Sequence, residues 1–216
     1  MSTEVDICNL ALASLGDRAT VVSINPPEGS AQAEHCARFY PLARDALLEM
    51  HTWGFATRRV QLAMIASPWA EWQYAYLQPN DAVNLVEVLD PSATDDYSQN
   101  LTFYYPPAVG NYVPQAFTCE IDTFGNQLIL TNQQYAELRY TALISDPTLF
   151  SPLFTNTLVA YLASMLAGPV LKGEAGAAEA KRCLAVMQFH LSQAINSDAN
   201  QRMVKPTHQV SWISRR

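Results

Sequence analysis

The chain has 216 residues, of which 49% are apolar, and its net charge is −7. This length suits one medium-sized domain or one domain with an insertion, and the apolar share excludes extensive disorder. No apolar run is expected to be long enough to span a bilayer, and residues 1–4 lack the features of a signal peptide, so synthesis and retention in the cytoplasm are predicted.

The first segment has the apolar spacing of a helix. Steps of three and four residues place a stripe on one face, formed by Val5, Cys8, Leu12 and Leu15. Thr3 is the predicted N-cap, with Asp6 in a position like that of a capping box, and Gly16 is the predicted stop.

A second helix is predicted over residues 30–51. Its apolar stripe consists of Ala33, Cys36, either Phe39 or Tyr40, Ala43, Leu47 and Met50. Pro41 lies within it, so either the helix bends there or a new helix begins with Pro41 at its first position. We favour a bend.

Residues 55–141 change to a period of two, which is typical of strands. Three sets alternate: Trp72, Tyr74 and Tyr76; Phe117, Cys119 and Ile121; and Ala136, Leu138 and Tyr140. Residues 124–126 (Phe-Gly-Asn) are a predicted hairpin turn, since Gly and Asn tolerate positive φ. The region is predicted to be a small antiparallel sheet.

Helical signals return at Ser151 and Pro152, an N-cap followed by proline at the first helical position. Gly168 and Pro169 are predicted to end this helix. A fourth helix is predicted over 174–195, with one face formed by Leu184, Met187, Leu191 and Ile195. The predicted fold class is therefore α+β. A four-helix bundle-like domain (1–54 plus 145–200) carries an inserted antiparallel β domain (55–144), and an extended C-terminal arm follows (201–216).

No constellation of residues indicates catalysis or metal binding. The four cysteines are widely spaced and are predicted to be buried apolar residues, and the four histidines lack the spacing of metal ligands. Asp95 and Asp96 are predicted to lie in a solvated loop. The long interval between the first two helices and the mixed charge of the second exclude a helix-turn-helix. We expect no catalytic residues, no cofactor and no metal, although a serine hydrolase triad is recognised by geometry and stays open.

Aromatic residues crowd the predicted β region. The core-facing side of a sheet is the favoured interpretation of Trp72, Tyr74 and Tyr76. Consecutive aromatics at 103–105 cannot all face inward from a strand, so some are exposed. A subunit or tail interface is predicted to use Trp69, Tyr104, Tyr105 and Tyr112. Stacking on carbohydrate is a weaker alternative.

The C-terminal segment differs from the rest in charge. Residues 203–216 contain three basic residues and no acid, so they carry +3, and the preceding 202 residues carry −10. An acidic body disfavours broad binding to nucleic acid. The residues suited to an arm that docks on an acidic partner are Met203, Lys205, Val210, Trp212, Ile213, Arg215 and Arg216. A frayed basic tail is an equally good interpretation.

Several strings in order along the chain carry a family resemblance. They are RFYPLARDALLEMHTWGFA (38–56), NLAL (9–12), YLQPND (76–81), CEI (119–121) with LILT (128–131), LRYT (138–141), and DP (146–147) with FSPLF (150–154). Together they resemble the head-to-tail adaptor family of short-tailed bacteriophages, often called tail tubular protein A. One departure is that Ala82-Val83-Asn84 follows Asp81, where the family often has a small residue and then Arg.

The resemblance implies a structural virion protein with no catalytic turnover. It implies a homo-oligomeric ring, usually of twelve copies, between the portal protein and the tail nozzle protein, with DNA passing through without specific binding. The helical domain and the C-terminal arm would contact the portal, and the β domain would face neighbouring subunits and the tail, including a tail fibre. No membrane partner is implied. The alternatives are a cell-wall-acting hydrolase of the virion and a monomeric binding module that uses the aromatic loops.

Overall fold

The computed structural model describes residues 2–18, 20–93 and 114–201, and these divide into two compact units. The helical unit combines residues 2–56 with 143–201 and contains the four described helices. The sheet unit, 57–93 with 114–142, contains seven strands in two antiparallel sheets. The chain is an α+β protein, as predicted. Most of the predicted C-terminal arm, from residue 202 onward, lies outside the described residues.

Helix α1 (Glu4–Ser14) begins and ends where the sequence predicted. The Asp6 amide donates to Thr3 Oγ1 (3.1 Å) and the Thr3 amide donates to Asp6 Oδ2 (2.8 Å), which completes a capping box. Gly16 has a φ of 78°, the left-handed conformation that ends many helices. The predicted stripe is incomplete, because Ile7 and Ala11 are also fully buried.

The side chain of Asn9 holds the loop that follows α1. Its Nδ2 donates to the Val21 carbonyl (2.9 Å) and its Oδ1 accepts from the Val21 amide (2.8 Å). We expect Asn9→Asp to lower the free energy of unfolding by about 1–3 kcal/mol, because the carboxylate loses the donor and faces a carbonyl oxygen. Urea unfolding at neutral pH measures this. Asn156→Asp, at an exposed position of the same unit, is the control, and an equal effect of both changes would contradict the prediction.

Helix α2 (Ala31–Glu49) starts at the Ser30 N-cap, whose Oγ accepts from the Ala33 amide (3.2 Å). The helix is continuous through Pro41, so a new helix beginning at Pro41 is wrong, and the bend there stays a prediction. Tyr40, rather than Phe39, occupies the core. Met50 was predicted to be in the buried stripe but is 45% exposed, because it lies at the C-cap, beyond the last turn.

Residues 51–56 end in a short 3₁₀ turn (Gly54–Ala56) that closes on distant parts of the helical unit. Trp53 is fully buried, donates from Nε1 to the Leu47 carbonyl (2.9 Å) and packs edge-on against Phe154 at 5.0 Å between ring centroids. The Gly54 amide donates to both carboxylate oxygens of Asp198 (3.0 and 3.1 Å). The WGF string therefore joins the end of α2 to the last turn of the final helix.

Helix α3 (Pro152–Leu171) begins at the predicted Ser151 cap with Pro152 in its first turn. The predicted end at Gly168 and Pro169 is wrong, since the helix continues to Leu171. A proline in the last turn removes one amide donor, and the turn is still closed by a bond from the Lys172 amide to the Gly168 carbonyl (3.0 Å). Lys172, with a φ of 55°, separates α3 from helix α4 (Gly173–Ala199).

Helix α3 is the central element of the helical unit, because it packs against α1, α2 and α4. It is long and apolar enough to cross a membrane by length and composition, contrary to the sequence expectation that no such run exists. In this structure 56% of its apolar window is buried within the protein. A helix that other helices cover on several sides must be apolar around most of its circumference, so its composition resembles that of a membrane-spanning helix.

Helix α4 buries only part of the predicted face: Met187 is buried as predicted, but Leu184 is not. Its buried residues are Gly176, Cys183, Met187 and Ala194, whereas Leu184 is 39% exposed and Leu191 and Ile195 are half-buried. The prediction followed the largest side chains, but α4 turns small residues towards α3. A Cβ atom on Gly176 would lie 2.8 Å from the Ala167 carbonyl oxygen, so the two backbones are in close contact at that point.

The sheet unit contains two antiparallel sheets rather than the single small sheet predicted. One has the order β1 (Thr57–Gln61), β7 (Glu137–Ala142) and β4 (Ala82–Leu89). The other has the order β2 (Met64–Ile65), β3 (Tyr74–Leu77), β6 (Gln127–Thr131) and β5 (Phe117–Ile121). Strand β7 is paired on both edges, by β1 and β4, whereas β3 pairs with β6 in the other sheet.

Two predictions about strand faces are wrong. Trp72 precedes β3 and packs against Ala75, Leu128 and Leu130, whereas Tyr76 is buried and donates from its hydroxyl to the Gln133 carbonyl (2.8 Å). Because Ala75 and Tyr76 are adjacent in a strand, Trp72 and Tyr76 do not share one face. Cys119 is exposed, unlike the other three cysteines, because its set on β5 lies on the less covered face of an edge strand.

Candidate interaction surfaces

Most of the predicted interface residues lie outside the described residues. These are the arm residues Met203, Lys205, Val210, Trp212, Ile213, Arg215 and Arg216, and the loop residues Tyr104, Tyr105 and Tyr112. Trp69 is described, lies between β2 and β3, and is 43% exposed. The Ser67 hydroxyl donates to its carbonyl (2.9 Å), which closes the local turn. The predicted role of Trp69 at an interface stays a prediction.

A groove of about 260 Å³ lies in the helical unit, between α1, α3 and α4. We call it the helical groove, and its lining is Leu10, Ser14, Asn156, Val159, Ala160, Arg182, Cys183, Val186 and His190. Leu10 is a large apolar residue of this lining and is 53% exposed. The shape and the mostly apolar lining suit a protein side chain or a short apolar segment.

The helical groove also contains an ion-paired guanidinium, a thiol and an imidazole. The Arg182 Nε donates to Glu179 Oε1 (2.8 Å), and this pairing raises the pKa of Arg182 and lowers that of Glu179. Burial raises the pKa of the Cys183 thiol, so it stays protonated at neutral pH and is a weak nucleophile. The Nδ1 atom of His190 is buried with no hydrogen-bond partner among the described residues.

Exposed apolar side chains continue beside this groove. Phe189 on α4 is 60% exposed and lies three residues after Val186 and seven after Arg182, so it is on the same side of the helix as these lining residues. Sequence reasoning missed Leu10, Val186 and Phe189 because they fall off the apolar stripes used to find the helices. These residues could have been found as large apolar side chains outside the predicted helix stripes, because such residues mark contact surfaces when they cluster.

A second concave surface, of about 630 Å³, lies in the sheet unit. Three connections line it, residues 60–63, 77–80 and 125–127. We call it the amide cleft, because it holds five carboxamide side chains: Gln61, Gln78, Asn80, Asn126 and Gln127. No ionisable side chain occurs among its described lining residues, and Val60, Leu62, Leu77 and Pro79 supply apolar surface. It is therefore suited to a neutral ligand surface.

The β5–β6 turn borders the amide cleft and is rigidly built. Asp122 Oδ1 accepts from the amides of Phe124 and Asn126 (both 2.8 Å), and Oδ2 accepts from Asn126 Nδ2 (2.8 Å). These bonds, that from the Asn126 side chain first, hold the pKa of Asp122 below its usual range. Gly125 has a φ of 86°, so the predicted turn is confirmed. Its tip presents Phe124, which is 88% exposed.

No group of three or more His, Cys, Asp or Glu residues that could hold a metal ion occurs within 2–18, 20–93 and 114–201. No model of a known protein family matches the chain. A search of curated proteins also finds no match.

Proposed function

We propose that the chain is a structural virion protein, a head-to-tail adaptor that forms a ring between the portal and the tail nozzle of a short-tailed bacteriophage. One observation carries the proposal. The two ends of the described chain form one helical unit, and an antiparallel sheet unit is inserted between them. This is the architecture that the ordered resemblance implies, and the longest string, residues 38–56, runs through α2 to the last residue before β1.

The proposal includes a finer description of the helical unit. We take its four helices to be a bundle-like domain organised around α3, because α3 packs against each of the other three. The C-terminal arm would extend from the end of α4 towards the portal. Its charge of +3 contrasts with −10 for the rest of the chain, so it would be attracted to an acidic groove, for which the acidic body of the chain itself would compete.

The helical groove is the proposed contact with the portal. Leu10 and Phe189 are large apolar side chains exposed in or beside it, and they would be covered in an assembled virion. The acidic body would repel DNA phosphates in the channel, so packaged DNA could pass without binding. In this role the protein acts stoichiometrically and needs no turnover.

Native mass spectrometry with negative-stain imaging tests the adaptor proposal directly. The chain is measured alone and with the portal protein of the same virion, and a ring in either sample supports the proposal. A stable monomer that ignores the portal would contradict it. If that monomer also cleaved peptidoglycan, the hydrolase alternative would replace it.

Deletion of residues 203–216 is expected to abolish docking on the portal while the two described units stay folded, because the described helical unit ends at Gln201. Circular dichroism checks the fold, and co-sedimentation with portal checks docking. Normal docking of the truncated chain would show that the arm has no role.

Leu10→Asp is expected to weaken portal binding at least about 10-fold, because it places a charge in the apolar contact. The matched control is Leu149→Asp in the same unit, since Leu10 is 53% exposed and Leu149 is 54% exposed. Titration of labelled portal measures both affinities. Equal affinities of the two variants would remove the helical groove from the portal contact.

A further inference from the structure

We propose that Phe124 of one copy of this chain inserts into the amide cleft of a second copy. The inference rests on the proposed function in one respect, that several copies assemble side by side. It adds a specific contact between subunits, made by a projection and a recess that both belong to the sheet unit.

The projection is an aromatic ring on a preorganised turn. Phe124 is 88% exposed, the highest value among the exposed large apolar residues, and Ile121 of the same hairpin is 66% exposed. Asp122 fixes the turn through bonds to the Phe124 amide, the Asn126 amide and the Asn126 side chain. A rigid turn loses little conformational entropy when it binds, so the contact forms at low cost.

The recess matches the projection in charge and chemistry. Its described lining carries no ionisable group, so a phenyl ring entering it desolvates no charge. Leu77, which is 41% exposed, and Pro79 offer apolar contact. The carboxamides of Gln78 and Asn80 can both donate to and accept from the backbone of an incoming turn. The volume of about 630 Å³ accommodates a ring together with part of its turn.

The occupant is a second copy rather than the chain's own ring. Asn126 and Gly125 line the cleft, whereas Phe124, their neighbour in the same turn, does not. The turn therefore presents one side to its own cleft and Phe124 to the surroundings. Where the insertion is not reciprocal between the same two copies the contact is heterologous, and its repetition builds rings or filaments.

The area that one inserted ring buries is too small to hold two subunits together by itself. A buried aromatic side chain contributes about 150–250 Å², whereas a stable interface buries about 1,200–2,000 Å². Insertion of Phe124 is thus one anchor within a larger contact between subunits. The isolated chain is expected to associate weakly, and association is expected to become stable when a portal brings many copies together.

Photo-crosslinking from position 124 tests the inference. Phe124 is replaced by benzoylphenylalanine, which keeps an aromatic ring, and the variant is mixed with ¹⁵N-labelled parent chain, both free at high concentration and on portal. Mass spectrometry is expected to find cross-links between copies, from position 124 to residues 77–80 or 60–63. Absence of such cross-links from both samples, or cross-links only to other peptides, would overturn the inference.

Two substitutions give an independent readout by sedimentation of the free chain. Phe124→Ala removes the ring, and Ala63→Trp fills the cleft from an exposed rim position; each is expected to weaken self-association by about 10- to 100-fold. Leu149→Ala, which removes an exposed apolar side chain from the helical unit, is the control and should have no such effect. Equal self-association of all four proteins would also overturn the inference.

The two proposals fail in different ways. Rings on portal without cross-links from position 124 to the cleft would leave the adaptor function standing and reject this contact. Cross-links between free copies, from a chain that never binds portal, would keep the contact and reject the adaptor function.

Discussion

Gly176→Val is expected to lower the free energy of unfolding of the helical unit by about 3 kcal/mol, because it forces α4 away from α3. A Cβ atom at this position would lie 2.8 Å from the Ala167 carbonyl oxygen and 3.3 Å from Gly168 Cα. Both are backbone atoms, so no side-chain rotation relieves the overlap. Overpacking of this kind costs about 1–3 kcal/mol and sometimes more. It outweighs the gain of up to about 1 kcal/mol from replacing a glycine within a helix.

Ala177→Val separates overpacking from helix propensity in this experiment. Ala177 is the next residue of α4 and is exposed, so valine there meets only the lower helix propensity of a β-branched residue. Thermal unfolding followed at the helical circular dichroism band is expected to move strongly for Gly176→Val and slightly for Ala177→Val. Similar midpoints for the two variants would mean that the close helix contact has no energetic weight.

Trp53→Ala is expected to cost about 3–5 kcal/mol, the range for removing a fully buried large aromatic. The indole is 0% exposed, and its ring centroid lies 5.0 Å from that of Phe154 and 4.9 Å from that of His51. The change also leaves the Leu47 carbonyl without the donor at 2.9 Å. Trp53→Phe keeps much of the packing and loses the donor, so a smaller loss is expected.

Trp69→Ala is the matched control for Trp53, because Trp69 is 43% exposed. Its expected effect on urea unfolding is small. The same variant also tests the predicted interface role of Trp69, since reduced assembly with unchanged stability would assign it to a contact. A stability loss as large as that of Trp53→Ala would contradict the distinction between the two tryptophans.

The beginnings of the helices were predictable because their signals are local. Thr3, Ser30 and Ser151 each act through a hydroxyl that accepts an amide hydrogen three residues later, a bond that depends on nothing distant. The hairpin turn at Gly125 is local in the same sense. These features depend on a few consecutive residues. The caps at Thr3 and Ser151 and the turn are where the sequence predicted them, whereas Ser30 was predicted only as the start of its helix.

The buried faces were less predictable because they depend on the partner element. Large apolar side chains suggested that Leu184 faces the core, but α4 turns Gly176 and Cys183 inward. A close approach between backbones selects small residues, and no periodicity of large ones reveals it. Pro169 misled in a similar way, because packing of α3 against three other helices, which the local signal does not show, offsets the cost of a proline within the helix.

The candidate surfaces could be predicted least. The amide cleft assembles three connections that are far apart in the chain, and its carboxamides look like ordinary polar loop residues one at a time. The helical groove likewise draws Leu10 and His190 from opposite ends of the sequence. The acidic charge and basic C-terminal segment, by contrast, are read directly from the sequence. The proposals for the arm and for the passage of DNA rest on these charges and not on the geometry of a surface.

The central position of α3 has a consequence for how the protein is made. Helices α1 and α2 have little contact with each other, and each packs mainly on α3, which is complete only at Leu171. A ribosome must add on the order of 100 residues after α2 before this partner exists, which takes roughly 5–20 s at about 5–20 residues per second. During that interval, in which the sheet unit is synthesised, the apolar faces of α1 and α2 are uncovered. Early binding of a chaperone to the nascent N-terminal helices is therefore the expected route to efficient synthesis.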